Sequence, residues 1–248
     1  MTSPGLKSLV VGASAGLGRA VAEALAEAGH DLFLVASDRR DLDPVARDLS
    51  LRFGRSVHWL EVDLLALDLD ALRSRVAETL GRVDNLFLLA GQAFMAEDGE
   101  PLPDAKAERL VEVNLTAPLR IANAFLAEMM AGGGNMVGAG SVAAVRGRSN
   151  NMVYGAAKRG LESYFEALRH RLGATGCRIQ FYRLGYLRTR MTAGQKLPFP
   201  AMTPEAAAAA MVANLGKDLG TVYLPAWWAV IMGIIAALPW PVFRRLKI

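Results

Sequence analysis

The sequence predicts an α/β fold in which a seven-stranded parallel sheet is doubly wound, with helices on both faces. Short apolar runs alternate along the chain with longer stretches of helical period. Runs that are apolar on both faces are typical of parallel strands covered on both sides, and right-handed crossovers between them produce a doubly wound sheet. With 248 residues, 52% of them hydrophobic, the chain is large enough for one such domain and is not disordered.

The elements are predicted in chain order. Strands are expected at residues 6–11, 31–36, 57–62, 85–89, 135–139, 178–182 and 221–224. Helices are expected at residues 17–28, 42–53, 69–80, 104–130 and 152–172. A segment at 189–203, in which prolines, threonines and small residues separate apolar ones, is interpreted as a mobile lid. Residues 1–224 are thus predicted to form a single domain, followed by an apolar helical extension at 225–248.

Composition excludes several classes of function. The formal net charge is +4 and the pI is near 9.4, but lysine and arginine are scattered, which gives little support to nucleic-acid binding. Cys177 is the only cysteine, so an internal disulfide and a cysteine-based metal cluster are excluded, and a reducing cytoplasm fits. His30, His58 and His170 lack ligand spacing, and no metal site is predicted. The first residues lack the features of a signal peptide.

A glycine-rich turn lies between the first predicted strand and the first predicted helix. Its residues are Gly12, Ala13, Ser14, Ala15, Gly16, Leu17 and Gly18. Glycines let the backbone approach a pyrophosphate, and the helix that follows offers unpaired N–H groups and the positive end of its dipole. The context predicts a Rossmann-like dinucleotide site, in which Ser14 faces a phosphate or the adenosine ribose.

Three side chains with proton-transfer chemistry follow the fifth strand. Tyr154 and Lys158 are four residues apart, and Ser141 lies thirteen residues before the tyrosine. Residues i and i+4 share one face of a helix, so the lysine ammonium can lie beside the phenol. A free phenol ionises near pH 10, and a neighbouring cation lowers that pKa. Tyr154 is therefore expected to exchange protons near neutral pH.

The G-x-x-x-G-x-G turn and the Ser, Tyr and Lys pattern resemble the short-chain dehydrogenase/reductase family over nearly the whole chain. Asn114, after the fourth strand, matches the asparagine of that family. The resemblance implies a catalytic set of Asn114, Ser141, Tyr154 and Lys158 that interconverts a carbonyl and a secondary alcohol with a nicotinamide cofactor. Tyr154 would exchange the proton, Ser141 would hydrogen-bond the oxygen, Lys158 would hold the ribose and Asn114 would anchor a water. The chain departs from the family at Val11, Leu88-Leu89 and Leu184.

The resemblance also implies the residues that contact the cofactor. They are Gly12, Ser14, Ala15, Gly16, Leu17, Gly18, Ser37, Arg39, Asp63, Leu64, Ala90, Gly91, Tyr154, Lys158, Gly185, Leu187 and Thr189. Ser37 stands where a member that prefers NAD typically has an acid for the ribose 2′-hydroxyl. Without that acid a 2′-phosphate is not repelled, and Arg39 and Arg40 can pair with it, although Asp38 acts against this. NADP is favoured over NAD.

Substrate contacts are expected from residues near the carboxyl ends of the strands. They are Gln92, Phe94, Val142, Arg148, Tyr186 and Met191. Most are apolar, which favours a bulky or lipid-like ketone. Residues 141–148, 154–158 and the tail resemble a bacterial branch of the family that includes the reductase of decaprenylphosphoryl 2-keto-ribose. A lipid-linked keto-sugar or another amphiphilic ketone is therefore the leading substrate hypothesis.

The tail at 226–247 is apolar all round and ends in Arg244, Arg245 and Lys247. It is shorter than the roughly twenty apolar residues of a membrane span and is interrupted by prolines. Two interpretations remain: the tail is buried against the subunit or a partner subunit, or it lies on a membrane surface. A cytoplasmic protein, in the second case associated with the inner face of the membrane, is expected. The family resemblance implies a homodimer or homotetramer packed through the long helices.

Two other classes of function stay open at this stage. One is a nucleotide-binding redox sensor that keeps the fold and the cofactor without turnover. The intact Ser141, Tyr154 and Lys158 argue against it. The other is a membrane-surface interaction protein in which the tail matters more than the chemistry.

Overall fold

A computed structural model describes residues 5–93, 102–194, 197 and 199–246. Its strands form one parallel sheet. They are β1 (Lys7–Val11), β2 (Asp31–Ala36), β3 (Val57–Glu61), β4 (Asn85–Leu88), β5 (Gly134–Ser141), β6 (Cys177–Leu184) and β7 (Gly220–Leu224). The strand order is β3-β2-β1-β4-β5-β6-β7, and all neighbouring pairs are parallel. The predicted fold class is confirmed.

Helices cover both faces of the sheet. They are α1 (Gly16–Glu27), α2 (Arg39–Phe53), α3 (Leu69–Thr79), α4 (Asp104–Val111), α5 (Ala117–Gly132), α6 (Met152–Leu172), α7 (Pro204–Ala213), α8 (Trp228–Ala237) and α9 (Trp240–Phe243). Leu72, Ile121 and Phe165 belong to the core between one face of the sheet and α3, α5 and α6. Val21 and Met211 belong to the second core, under α1, α2 and α7. The two apolar layers hold the sheet between the helices.

The sheet reverses its winding beside β1. The chain runs from β1 outward to β2 and β3, and then returns to β4 on the other side of β1. The loops that follow β1 and β4 therefore leave in opposite directions and open a crevice at the carboxyl ends of the strands. Ligands of doubly wound sheets bind at such a switch point.

Several element boundaries differ from the predicted ones. Helix α2 begins at Arg39 rather than at residue 42, because the Asp38 side chain accepts a hydrogen bond from the Arg40 N–H at 3.0 Å and caps the helix. Strand β5 extends to Ser141, so this serine is the last residue of a buried strand. Helix α7 was not predicted. Its sequence is mostly alanine, which gives no helical period of apolar residues.

The helix predicted at 104–130 contains a π-helical segment. Residues Glu112–Thr116 form one wide turn between α4 and α5. Such turns are single-residue insertions in α-helices and are frequent at functional sites. Within the predicted lid, Arg190–Thr192 form a 3₁₀ turn and Leu187 pairs with Met202, while residues 195, 196 and 198 lie outside the described part.

The tail beyond β7 folds into α8 and α9 and packs with one side on the sheet edge. Trp228 and Met232 are buried with Val142, and Phe243 is buried as well. The opposite side of the tail is exposed, with Val230, Ile234 and other large apolar side chains in solvent. No helix within the described ranges is both long and apolar enough to cross a membrane. The tail is thus partly buried and partly exposed, and neither of the two interpretations accounts for all of it.

Candidate active site

A cleft of about 650 Å³ runs along the carboxyl ends of the strands. Most residues that the sequence assigns to cofactor or substrate line it. These are Gly12, Ala15, Gly16, Leu17, Gly18, Ser37, Asp63, Leu64, Ala90, Gly91, Gln92, Ser141, Val142, Arg148, Tyr154, Lys158, Gly185, Tyr186, Leu187 and Thr189. The cleft therefore passes from the end of β2, through the glycine turn, to the loop between β5 and α6.

Gly12 and Gly18 of the glycine turn have no room for a Cβ atom. Gly12 has a φ of +94°, and a Cβ there would lie 2.6 Å from the backbone nitrogen of Ala90. A Cβ on Gly18 would overlap the Gly12 carbonyl oxygen. Ala15, the N-cap of α1, offers no side-chain acceptor, so the first N–H groups of the helix stay free for a ligand. This cradle has the shape and polarity that a dinucleotide pyrophosphate requires.

The end of the cleft beside β2 is lined by Ser37 and Asp63. Asp63 caps the turn after β3 by accepting from the Leu65 N–H at 3.0 Å. Arg39 was assigned to the cofactor, but the structure places its guanidinium 5.5 Å from the Trp59 ring centroid and not on the cleft wall. Instead Arg190 lines the cleft there.

The acids at this end are already paired. Arg190 lies 3.3 Å from Asp41 in the first turn of α2. Arg40 binds Asp38 at 3.0 Å, and this hydrogen bond, more than any other cause, lowers the pKa of the Asp38 carboxyl. The Arg40 guanidinium is therefore committed to Asp38.

Ser141 and Tyr154 meet at the other end of the cleft. Both side chains line the cleft, and the Ser141 hydroxyl oxygen accepts from the Ala143 N–H at 3.1 Å. Burial raises the pKa of Tyr154 above its usual value, against a smaller lowering by the Ser141 hydroxyl. The net shift of the Tyr154 pKa is therefore upward, opposite to the direction expected from the neighbouring Lys158 ammonium. Tyr154 carries its proton at neutral pH and is poised to donate it.

Lys158 is buried one helical turn after Tyr154. Its ammonium donates to the Ala139 carbonyl on β5 at 3.0 Å. Burial lowers its pKa from 10.5 to about 8, because the charged form is deprived of water. The group still holds its charge in most molecules at pH 7. The cleft thus has a fixed cation beside the phenol.

Asn114 lies behind the cleft wall rather than on it. Its amide nitrogen donates to the Gln92 carbonyl at 2.7 Å and to the Leu110 carbonyl at 2.9 Å, and its oxygen accepts from the Gln92 N–H at 3.2 Å. A Cβ on Gly91 would lie 3.3 Å from the Asn114 oxygen and 3.4 Å from the Lys158 nitrogen. Asn114 and Lys158 therefore both lie close to the backbone of Gly91. The hydrogen bonds of the Asn114 side chain hold the loop after β4.

Helix α8 packs behind the cleft residues that lie beyond Ser141. Trp228 packs on the Tyr186 ring with 5.9 Å between centroids, and the Arg148 guanidinium lies 3.6 Å from the Met232 sulfur. A Cβ on Gly185 would overlap the Trp228 indole nitrogen, so α8 can pack only against glycine there. The tail is therefore part of the support of the site.

Some assigned residues are not on the cleft wall. Ser14 is half-buried beside it, and Phe94 and the Met191 side chain lie outside the described residues. Conversely, the sequence interpretation did not select several polar residues that line the cleft: Arg109, Asn151, Arg190 and Thr192. None belongs to a short motif, and only the folding of their loops brings them to the wall. Among the residues that can be described, no group of His, Cys, Asp and Glu could hold a metal ion.

Comparisons with known proteins agree with this geometry. The profile of the family described as "short chain dehydrogenase" matches residues 7–197. An uncharacterized oxidoreductase of Myxococcus xanthus is 30% identical over 248 residues, which cover 97% of each chain. The chain belongs to the short-chain dehydrogenase family. As a member of it, the protein is an NAD(P)-dependent oxidoreductase.

Solved structures show the same relationship. A short-chain dehydrogenase from Sphingobium yanoikuyae in complex with NADPH superposes with a TM-score of 0.81 at 28% identity, covering 95% of this chain and 97% of that one. An alcohol dehydrogenase from Thermococcus sibiricus complexed with 5-hydroxy-NADP gives 0.79 at 25% identity, covering 89% of this chain and 96% of that one. The seven-stranded sheet is thus the sheet of this family.

Proposed function

We propose that this short-chain dehydrogenase interconverts a ketone and a secondary alcohol with Tyr154 as the proton-exchanging group. The observation that carries the proposal is that Ser141 and Tyr154 line the same end of the cleft, with the buried Lys158 ammonium one helical turn after the tyrosine. Phenol, hydroxyl and ammonium are the groups that a carbonyl oxygen needs when it gains negative charge. Asn114 completes the proposed catalytic set from behind the wall.

The roles follow from the environment of each group. In the direction of reduction, Tyr154 donates its proton to the carbonyl oxygen and Ser141 donates a hydrogen bond to the same oxygen. The Lys158 cation then favours the phenolate that remains. Asn114 fixes the loop that carries Gln92. When bound, the nicotinamide supplies the hydride to the carbonyl carbon, or accepts it in the reverse reaction.

The residues present fit such a dinucleotide. We assign the pyrophosphate to the cradle of Gly12, Gly16 and Gly18, where a Cβ would clash or the φ is positive. We assign the adenosine to the end with Ser37 and Asp63, and the nicotinamide half to the end with Tyr154 and Lys158. Gly185, Leu187 and Thr189 line the wall between these ends.

NADP is the proposed cofactor in preference to NAD. The neutral Ser37 directly follows β2 and repels no 2′-phosphate, and Arg190 adds a cation on the cleft wall nearby. Titrating the protein with NADPH and with NADH, followed by nicotinamide fluorescence, tests this directly. We expect tighter binding of NADPH, and equal or tighter binding of NADH would contradict the preference.

An amphiphilic ketone, such as a lipid-linked keto-sugar, is the proposed substrate class. Val142 and Tyr186 line the cleft beyond Ser141, and apolar side chains of α8 pack behind them. The test is the steady-state oxidation of NADPH with a panel of ketones that includes lipid-linked sugars. A redox sensor would bind NADPH in the same assay without turnover of any ketone.

We also propose that the protein contacts membranes peripherally through 226–247. Val230, Ile234 and Trp240 are each at least 60% exposed, and Arg244 and Arg245 are exposed beside them. Apolar side chains with tryptophan and arginine nearby are typical of segments at an anionic lipid surface. Location on the inner face of the cytoplasmic membrane, the division at residue 224 and the homo-oligomeric state stay predictions.

A further inference from the structure

The loop that joins Ser141 to α6 carries two arginines with different surroundings. Arg146 is fully engaged: it donates to the carbonyls of Ile235 at 2.6 Å and Leu238 at 2.7 Å, and stacks 3.8 Å from the Phe243 ring centroid. Arg146 therefore caps the carboxyl end of α8, and this gives the residue a structural role. Arg148, two residues later, turns to the cleft and lines it.

Arg148 has no anionic partner among the residues that the structure describes. Its Nη2 makes only a 3.6 Å contact with the Met232 sulfur, and its Nε is buried without a hydrogen bond. Burial lowers the pKa of the guanidinium, which shows that its charge is poorly solvated. A half-buried cation without an acid costs folding free energy, and such groups concentrate where a ligand provides the missing charge.

A second polar group at the same end of the cleft is also unpaired. The Oδ1 atom of Asn151 is buried without a hydrogen-bond donor, and Asn151 lines the cleft three residues before Tyr154. A guanidinium donor and an amide acceptor thus both lack partners beside the proposed proton donor. Together they indicate a polar part of a ligand, next to the apolar lining that Val142 provides.

The charged side chains that line the cleft favour the binding of an anion near Arg148. The described lining residues include four cations, Lys158, Arg109, Arg148 and Arg190, and a single acid, Asp63. Asp63 follows β3 at the edge of the sheet, whereas Arg148 lies on the loop after β5. No lining acid therefore competes for the Arg148 guanidinium.

We propose that Arg148 forms a subsite for an anionic group of the substrate, a carboxylate or a phosphate, next to the carbonyl that Tyr154 protonates. The inference rests on the proposed oxidoreductase function and narrows its substrates to anionic ketones. Arginine binds carboxylate and phosphate oxygens through two parallel N–H groups, which orients the substrate as well as attracting it.

The test uses pairs of ketones that differ only in charge. One pair is 4-oxopentanoate and its methyl ester, and the other is dihydroxyacetone phosphate and dihydroxyacetone. For wild type we expect the charged member to have a kcat/KM about tenfold or more above that of its neutral partner. Preference in only one pair distinguishes carboxylate from phosphate. Binding of each compound to the protein loaded with NADP⁺, which cannot reduce a ketone, followed by tryptophan fluorescence, gives a second readout without turnover.

Three variants accompany wild type. Arg148→Gln is expected to remove most of the charge preference in both readouts, and Arg148→Lys to keep part of it. Arg73→Gln, an exposed arginine on α3 away from the cleft, removes the same charge and is expected to keep the full preference. Thermal unfolding and NADPH titration check that each variant is folded.

The outcomes separate the subsite from the function. No preference for the charged members in wild type, or a preference that survives in Arg148→Gln, overturns the subsite even if neutral ketones are reduced. Binding of charged ketones that depends on Arg148, without reduction of any ketone, supports the subsite and counts against the proposed oxidoreductase substrate.

Discussion

The charged ammonium group of Lys158 is almost completely shielded from water. The residue is 3% exposed, and a single carbonyl accepts from its ammonium. The lowering of its pKa from 10.5 to about 8 corresponds to a cost to the folded state of about 3 kcal/mol when the group is protonated. A residue that costs stability and lines the cleft is expected to be kept for function.

Replacing Lys158 with an uncharged residue should therefore stabilise the fold while impairing catalysis. Below pH 8 the lysine is charged in both states and the folded protein bears the full cost, so Lys158→Met is expected to melt several degrees higher at pH 7. As pH rises from 8 to 10.5, only the unfolded state keeps the proton and wild type regains stability. The gain should shrink over that window in thermal melts.

The exposed Lys217 is the matched control. Its ammonium contacts Asn214 at 3.0 Å in solvent. Because its side chain is exposed, Lys217→Met should change the melting temperature at pH 7 little. A Lys158→Met protein that is less stable than wild type at pH 7 would show that the burial cost is offset within the fold.

Tyr154 is the second residue whose role can be tested alone. Removing its hydroxyl leaves the ring and the packing, so Tyr154→Phe should bind NADPH as wild type does and reduce ketones about 10²- to 10⁴-fold more slowly. Steady-state turnover and NADPH fluorescence measure the two effects separately. Tyr164→Phe, on the same helix with its hydroxyl bonded to Asn123 at 2.8 Å, is the control. If both variants reduced ketones at the same rate, Tyr154 would not be the proton-exchanging group.

At the level of elements, the π-helical turn at Glu112–Thr116 aligns Asn114 with the loop after β4. The turn lets the Leu110 carbonyl accept from the Asn114 side chain at 2.9 Å, and the same amide clamps both backbone groups of Gln92. The Asn114 side chain is fully buried and its bonds are buried or partly buried, so their loss leaves backbone groups without partners. The turn therefore couples a helix to the cleft wall.

Asn114→Ala is expected to lower the free energy of unfolding by about 1–3 kcal/mol and to reduce kcat, because the loop that carries Gln92 loses its anchor. Urea denaturation and steady-state kinetics measure the two losses. The control is Asn123→Ala, at an exposed asparagine on α5. Its free energy of unfolding should stay within about 0.5 kcal/mol of that of wild type. If Asn114→Ala matched that control in stability, the three hydrogen bonds would not hold the loop.

The elements also show what sequence can predict. Buried parallel strands leave a strong apolar signal, so β1, β2 and β4 agree with the predicted ranges to within a residue. The helix predicted at 152–172 carries Tyr154 and Lys158 as expected, whereas Ser141 lies at the end of β5 rather than after it. Helix α7 and the π-helical turn have no such signal. Arg190 and Asn151 reach the cleft through loop paths, which depend on tertiary packing rather than on local pattern.

At the level of the whole molecule, one surface combines apolar exposure with positive charge. The tail packs inward through Trp228, Met232 and Phe243 and leaves Val230 and Ile234 outside, 67% and 60% exposed. Because the buried side of the same helix supports Tyr186 and Arg148, the tail joins the exposed surface to the cleft.

Membrane contact can be tested without disturbing the buried side of α8. Val230→Ser with Ile234→Ser removes exposed apolar area only, so the double variant should keep its melting temperature and its turnover of water-soluble ketones. Its flotation with vesicles of anionic phospholipid should fall several-fold below that of wild type, since binding scales with buried apolar area. Leu51→Ser, at an 86% exposed leucine on α2, is the matched control and should float as wild type does. Wild type that stays at the bottom of the gradient, or a double variant that floats equally well, would exclude this surface as a lipid contact and leave a protein partner as the occupant to seek.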